Sequence, residues 1–301
     1  MGTPEFAVET LSRLVEGGYD VVAVVTQPDK PVGRHGSVLQ APPVKQYALE
    51  HSIPVLQPEK MKDPDFLKQL RSYEADLQVV VAFRMLPEVV WAMPRYGTFN
   101  VHAALLPQYR GAAPINWAII NGETETGVTT FFLDHDIDTG RIILQRPFAI
   151  PDDADVEYVY EGLMRLGAQA AIDTVDMIIQ NNGKVEAQEQ STLDICPLLP
   201  APKLFKDTCK IDWNQPAKRV YDFIRGLSPY PGAWCSEHGG LKVYKTQKTD
   251  RPANGAPGEW QVEGKHLYIN CADNQLELLI LQQNGKKRME ASAFVNGLRC
   301  H

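Results

Sequence analysis

The first 150 residues alternate between short β-branched runs and helical segments, a pattern that leaves few folds open. "DVVAVVTQ" (20–27), "IPVLQ" (53–57), "ADLQVVVAF" (75–83) and "TFNVHAAL" (98–105) read as strands. Between and after them, "PPVKQYALEH" (42–51), "DPDFLKQLRSY" (63–73), "LPEVVWAM" (86–93) and "APINWAIING" (113–122) read as helices. Near-continuous apolar runs mark strands covered on both faces, and their regular exchange with helices predicts an α/β fold with a doubly wound, mostly parallel sheet. "TGVTTFFLD" (126–134) and "RIILQRPFAI" (141–150) extend that sheet as a pair, and a long helix over 155–180 ends at "NNGK".

The chain opens "MGTPEFAVETL". Thr3 is a good helix N-cap, Pro4 suits the first helical position, and Glu5 complements the positive helix end. In a doubly wound, Rossmann-like sheet the strand feeding the first helix is central, and here it is cut to almost nothing. Missing rungs leave buried backbone donors and acceptors unpaired, at about 1–3 kcal/mol each. The expectation is therefore that the natural product begins a few residues upstream and that Met1 is internal.

At roughly 100–200 residues per domain, 301 residues suggest two. The expected layout is a first domain over 1–182, a proline-bearing linker over 183–203 and a second domain over 204–301. In the last, a helix (215–227) precedes short strands, "LKVYKTQ", "GEWQVEG", "KHLYINCAD" and "LELLILQ", whose spacing suits a small OB-like barrel. The net charge is −7, yet residues 1–200 carry 15 basic against 27 acidic residues and residues 201–301 carry 15 against 10. A polyanion would be gripped by the second part. Five scattered cysteines with no C-x-x-C pair read as reduced thiols. No window approaches the roughly 18 apolar residues of a membrane span, and no secretory signal opens the chain, so the expectation is a cytoplasmic protein.

Nucleotide-cofactor fingerprints are missing: there is no G-x-G-x-x-G after a strand and no P-loop. The densest polar cluster is Asn100, His102 and Asp138. Asn100 and His102 stand two apart near the end of a strand, on one face, where α/β ligand sites sit. "DHDIDTG" (134–140) can reach the same edge. Its carboxylates mimic an EF-hand start, but Thr139 and Gln145 stand where that loop needs Gly and Glu, so calcium is rejected.

"NVHAALLPQYRGAAPINWAIINGETETGVT" followed by "LDHDIDTG" resembles the folate-dependent formyltransferases. "GTPEFA" and "TQPDKPVGR" (26–34) narrow the resemblance to the branch acting on methionyl-tRNA, and "KIDW" (210–213) and "IRGLSPYPGAW" (224–234) carry it into the second domain. The resemblance implies 10-formyltetrahydrofolate as donor, the α-amino group of initiator methionyl-tRNA as acceptor, and a monomeric enzyme without a metal. His102, protonated and assisted by Asn100, would stabilise the tetrahedral oxyanion, and Asp138 would keep His102 charged and relay the proton. The folate would lie against Phe83 and Leu86, the segment Ala104, Leu105, Leu106 and Pro107, and Asp136 and Ile137. The family commonly has Ser where this chain has Ala104, a lost hydroxyl worth about 0.5–1.5 kcal/mol if it bonds the ligand. Lys30 and Arg34 would contact the tRNA acceptor end. In the second domain Lys242, Lys245 and Lys248, with Lys286, Lys287 and Arg288, would grip its backbone.

Two alternatives stay open on the sequence: a formyltransferase for a sugar nucleotide or other amine, and a non-catalytic folate- or RNA-binding protein. Intact-mass measurement of the endogenous product tests the expectation about the start; a native mass beginning at Met1, with full activity, rejects it.

Overall fold

The computed structural model describes residues 1–32, 38–193 and 195–299. The chain divides into two compact units, one of Met1–Arg110, Gly127–Phe148 and Glu161–Leu199, the other of Gly111–Thr126, Ala149–Tyr160 and Pro200–His301.

The first unit begins with α1 (Glu5–Glu16), β1 (Val24–Val25), a two-stranded ribbon of β2 (Lys30–Val32) and β3 (Val38–Gln40), and α2 (Pro43–Glu50). Next come β4 (Val55–Leu56), α3 (Pro64–Ser72), β5 (Gln78–Val81), α4 (Glu88–Trp91) and β6 (Thr98–His102). After α5 (Pro114–Ile120), which belongs to the other unit, follow β7 (Glu125–Phe132), β8 (Ile142–Ala149) and α6 (Val156–Gln180). Asp63 caps α3 by accepting from the amides of Asp65 and Phe66, each at 3.0 Å, as "DPDF" leads one to expect.

β1 and β4 pair in parallel, β5 and β6 pair in parallel, and β7 joins β6 antiparallel, with β8 beside β7. The expected gap between β1 and β5 is filled by Met1 and Gly2. The Gly2 amide donates to Val25 (3.0 Å), the Val81 amide to Met1 (2.9 Å), and the Met1 amino group to Val79 (2.6 Å). Two residues thus supply the rungs that join the two parts of the sheet. Burial holds the Met1 amine down to about 5. The N-cap expectation is corrected. Pro4 is the N-cap, Thr3 makes no capping bond, and its hydroxyl is buried without a partner. The chain passes from the sheet into α1 with Pro4 extended (ψ 175°), so Thr3 is an elbow residue.

On one face of the sheet, Phe66 and Leu70 of α3 and Val90 of α4 pack with Val25, Leu56, Val80 and Leu86. On the other, α6 crosses β6 so closely that a Cβ on Gly167 would lie 3.2 Å from Val101. Burial of these side chains at about 25 cal/mol per Å² is what holds strands as short as two residues in place.

The second unit contains α7 (Ala217–Arg225), β9 (Ala233–Cys235), β10 (Leu241–Pro252), β11 (Trp260–Glu263), β12 (His266–Asn270), β13 (Asn274–Gln283), β14 (Met289–Glu290) and α8 (Ala291–Arg299). Its antiparallel sheet runs β11-β12-β13-β10-β9, with β14 on β13. Register shifts near Val243, Lys245 and Thr246 bend β10, as bulges do. Val220, Ile224, Leu227, Val243, Leu267, Leu278, Phe294 and Val295 form its core. Inside it, Arg225 donates to Asp222 (2.8 Å) and to the Ala154 carbonyl (2.8 Å), so a buried charge pair has its bonds met. The sequence reading did not include β9, β14 or α8; the two strands, of three and two residues, are too short for periodicity to stand out.

Cys209, Cys235 and Cys271 are buried and Cys196 is exposed, while Cys300 lies outside the described residues. Burial pushes the Cys235 thiol up to about 11 and the Cys271 thiol up to about 12. Because the thiolate is the reactive form, these two should resist alkylation at neutral pH. Mass-mapped iodoacetamide labelling of the native protein should modify Cys196 at least tenfold faster than Cys235 or Cys271; equal rates contradict the buried assignment.

Candidate active site

Parallel pairing sets Val80 of β5 opposite Asn100, and β7 sets Phe131 opposite the same residue. Asn100 and His102 therefore share a face near the carboxyl end of β6, with Asn100 half-buried and His102 only 6% exposed. His102 Nε2 lies 2.8 Å from the Tyr109 carbonyl, and its Nδ1 lies 3.8 Å from Asp138 Oδ2. A carbonyl only accepts, so Nε2 carries the proton of that bond and Nδ1 is left facing the carboxylate. Phe131 meets the ring edge-on, with centroids 6.5 Å apart. The structure thus brings together His102 and Asp138 by distance and Asn100 and His102 by register.

Three non-glycine residues around these groups adopt left-handed backbone: Ala82 (φ 46°), just after β5, Tyr109 (φ 59°) and Asp138 (φ 57°). Such conformations cost on the order of 1–3 kcal/mol each and persist where neighbours over-determine them. Gly140 shows one constraint: an added Cβ would lie 1.7 Å from the Phe132 carbonyl oxygen, so only glycine lets this loop return against β7.

The segment from Ala104 to Pro107 is tied down from behind. The Thr129 hydroxyl donates to the Ala104 carbonyl (2.7 Å) and accepts from the Leu106 amide (3.0 Å), and the Gln145 amide donates to the Leu106 carbonyl (2.8 Å). Ala104 is 0% and Leu106 1% exposed, so both side chains are interior, whereas Leu105 is half-buried and Pro107 buried. Phe83 packs against the core that holds Leu86, and Leu86 also lines a groove with Lys60, Met61, Lys62, Met85 and Pro87. Asp136 and Ile137 are exposed, the latter 58%.

"QPDK" has a visible local role. Asp29 takes both carboxylate oxygens to Lys45 Nζ (2.9 and 2.7 Å) and accepts from Gln57 (2.7 Å) at the foot of the β2–β3 ribbon. The Gln57 amide and the Lys45 ammonium hold its carboxyl below the usual range. Lys30 is exposed on β2, and Arg34 lies outside the described residues.

In the second unit Lys242, Lys245 and Lys248 are exposed on β10, and Lys286, Lys287 and Arg288 are exposed in the turn after β13. Lys242 pairs in register with Gln282, whose amide donates to the Lys286 carbonyl (2.7 Å), and Arg288 lies over the Tyr244 ring at 3.6 Å. Lys242 and the turn are thereby neighbours. Lys248 differs, because its ammonium is paired with Asp152 and stands over the Tyr221 ring at 5.0 Å. Sequence reasoning did not single out Tyr109, Arg110, Thr129, Gln145 or Gln190. All five reach the site through backbone groups or one another, and no spacing in the sequence signals such contacts.

A family described as formyl transferase matches residues 1–175, and the formyl transferase C-terminal domain matches residues 203–299. The chain is 59% identical to the methionyl-tRNA formyltransferase of Parabacteroides distasonis, covering 99% of this chain and 94% of that protein. It is 56% identical to the enzyme of the same name from Bacteroides fragilis, covering 99% and 93%. Among solved structures, the sugar 3N-formyl transferase WlaRD, crystallised with dTDP and 5-N-formyl-THF, matches at a TM-score of 0.69 and 19% identity, over 95% of this chain and 97% of that one. HypX from Aquifex aeolicus in complex with tetrahydrofolic acid matches at 0.58 and 19%, over 82% and 43%. With both family domains matched in order and relatives this similar over nearly its full length, the chain belongs to the formyl transferase family.

Proposed function

We propose that this chain transfers the formyl group of 10-formyltetrahydrofolate to the α-amino group of methionyl-initiator tRNA, as a monomer in the cytoplasm. The observation that carries the chemistry is His102 with one ring nitrogen bound to the Tyr109 carbonyl and the other 3.8 Å from Asp138. The acceptor rests on similarity to relatives named methionyl-tRNA formyltransferase.

In this reading the methionyl amine attacks the formyl carbon, and the carbonyl electrons move onto oxygen. Asn100 and His102, on one strand face, are the donors that meet the oxyanion. With Nε2 engaged, Nδ1 is the working nitrogen. Asp138, 3.8 Å from it, carries the proton lost by the amine toward N10 as the C–N10 bond breaks. The products are a formamide and tetrahydrofolate, and the balance needs no oxidant or metal.

Phe83, Leu86, Leu105, Asp136 and Ile137 would border the folate through side chains. Ala104, Leu106 and Pro107, being interior, would shape its bed through the backbone that Thr129 and Gln145 brace. An interior Ala104 supports the view that a hydroxyl there is not needed for folate affinity. Residues 1–182 would carry the chemistry, 183–203 the connection and 204–301 the tRNA grip. Lys30 and Arg34 would meet the acceptor end, and Lys242, Lys245, Lys286, Lys287 and Arg288 the backbone. Lys248 would join them only by leaving Asp152.

The fold shared with a sugar 3N-formyl transferase favours one second reading, an amino-sugar nucleotide as acceptor. Labelled formyl transfer from the folate to initiator methionyl-tRNA, with elongator methionyl-tRNA and a sugar nucleotide as controls, separates the two. Asp138→Asn and His102→Ala should each lower kcat about 10²-fold or more, the usual scale of general acid–base help, while tRNA affinity survives. Near-normal turnover in both overturns the assignment. The affinity for tRNA should fall with salt at a log–log slope near −0.9 per phosphate contacted, and Lys242→Glu with Lys287→Glu should flatten it by about 2. A salt-insensitive affinity, or an unchanged slope in the double variant, removes the second unit from the interface.

A further inference from the structure

Residues 188–193 and 195–199 lie between the two matched family segments, and within the first unit they brace both loops of the site. Gln188 exchanges two backbone hydrogen bonds with Ile142, each 2.8 Å, at the start of β8. Two residues on, Gln190 is 3% exposed and its amide is fully used. Its Oε1 accepts from Arg110 Nε (3.0 Å) and Nη2 (2.6 Å). Its Nε2 donates to the carbonyls of Asp138 (2.9 Å) and Gly140 (2.8 Å). Two donors on one side and two acceptors on the other leave a single sensible orientation for the amide. Further along, the Leu199 carbonyl accepts from the Tyr109 amide (2.7 Å), and the Gln108 side chain bonds Pro197 and Leu199 (2.9 and 2.6 Å).

We infer that Gln190 is a positioning residue for the formyl transfer, one that holds the Asp138 loop in its left-handed turn so that the carboxylate faces His102 Nδ1. The inference rests on the catalytic reading of Asp138 given above. Asp138 sits at φ 57°, a conformation that its neighbours must impose, and both carbonyls flanking Thr139 are held by the one amide. Arg110, permanently charged, fixes the other end of that amide. The same stretch of chain grips Tyr109 from behind, whose carbonyl orients the His102 ring. The segment therefore sets the carboxylate and the imidazole together.

The side-chain chemistry is selective. A glutamate at 190 would bind Arg110 at least as well, through a charge-assisted pair, but would set a carboxylate oxygen against two carbonyl oxygens. A glutamine that only tethered the strap would tolerate that change; one that positions Asp138 would not.

The experiment is formyl transfer by Gln190→Glu, alone and combined with Asp138→Asn, with single-turnover rates where turnover is slow. The expected result is a kcat at least tenfold lower with KM for both substrates within twofold. Against Asp138→Asn, the same change should alter the rate less than twofold, because the group it positions is gone. A kcat within twofold of the parent, or an equal loss in both backgrounds, overturns the inference. Should Gln190→Glu not fold, Gln190→Met, which removes the donors without adding a charge, is judged by the same two criteria. Normal activity in Asp138→Asn alone would instead fail the reading beneath the inference, so the two failures are distinguishable.

Discussion

The hydrogen bond from His102 Nε2 to the Tyr109 carbonyl decides what the site can do. An imidazole that turns freely offers either nitrogen to either partner. Tied at Nε2 and packed edge-on to Phe131, this ring presents Nδ1 alone, toward Asp138. The bond requires Tyr109 to sit at φ 59°, and that turn is held by the Leu199 carbonyl. The orientation of this ring thus depends on a backbone contact 90 residues along the chain.

The sheet serves this arrangement by fixing register. Parallel pairing of β5 with β6 puts Asn100 and His102 on one face near the strand end, and a one-residue slip would turn both away. The strands are short, and between Val25 and Val81 Met1 and Gly2 contribute one bond to β1 and two to β5. Such a sheet owes its order less to its ladders than to the helices on its faces, through Phe66, Leu70 and Val90 on one side and α6 on the other.

The basic excess of residues 201–301 does not make the second unit basic as a whole, because that unit also takes in the acidic side chains of Gly111–Thr126 and Ala149–Tyr160; its exposed lysines stand on β10 and the turn after β13. Counting charges overstates what is free to meet a polyanion. Lys248 is paired with Asp152, and Arg225 is buried against Asp222. A surface charge already satisfied inside the molecule must break that pairing before it binds anything else.

Much of the fold was legible beforehand, because short continuous apolar runs and helices with a clear cap are local signals. "DPDF" announced α3, and "VVVAF" and "TFNVH" announced β5 and β6. The Thr3 cap failed because Pro4 and the sheet, not the local propensity, set the entry to α1. Asn100, His102 and Asp138 stood out as residue types at a strand end and in a loop able to reach it. By itself the sequence determined β5 and β6, which face Asn100 and His102 share and which polar groups are available for chemistry. Only the tertiary structure decided which nitrogen of His102 faces Asp138, that Ala104 is interior and that Gln190 bonds the carbonyls of Asp138 and Gly140. Those outcomes depend on backbone carbonyls and left-handed turns brought together across the chain, and no residue type encodes where a carbonyl will point.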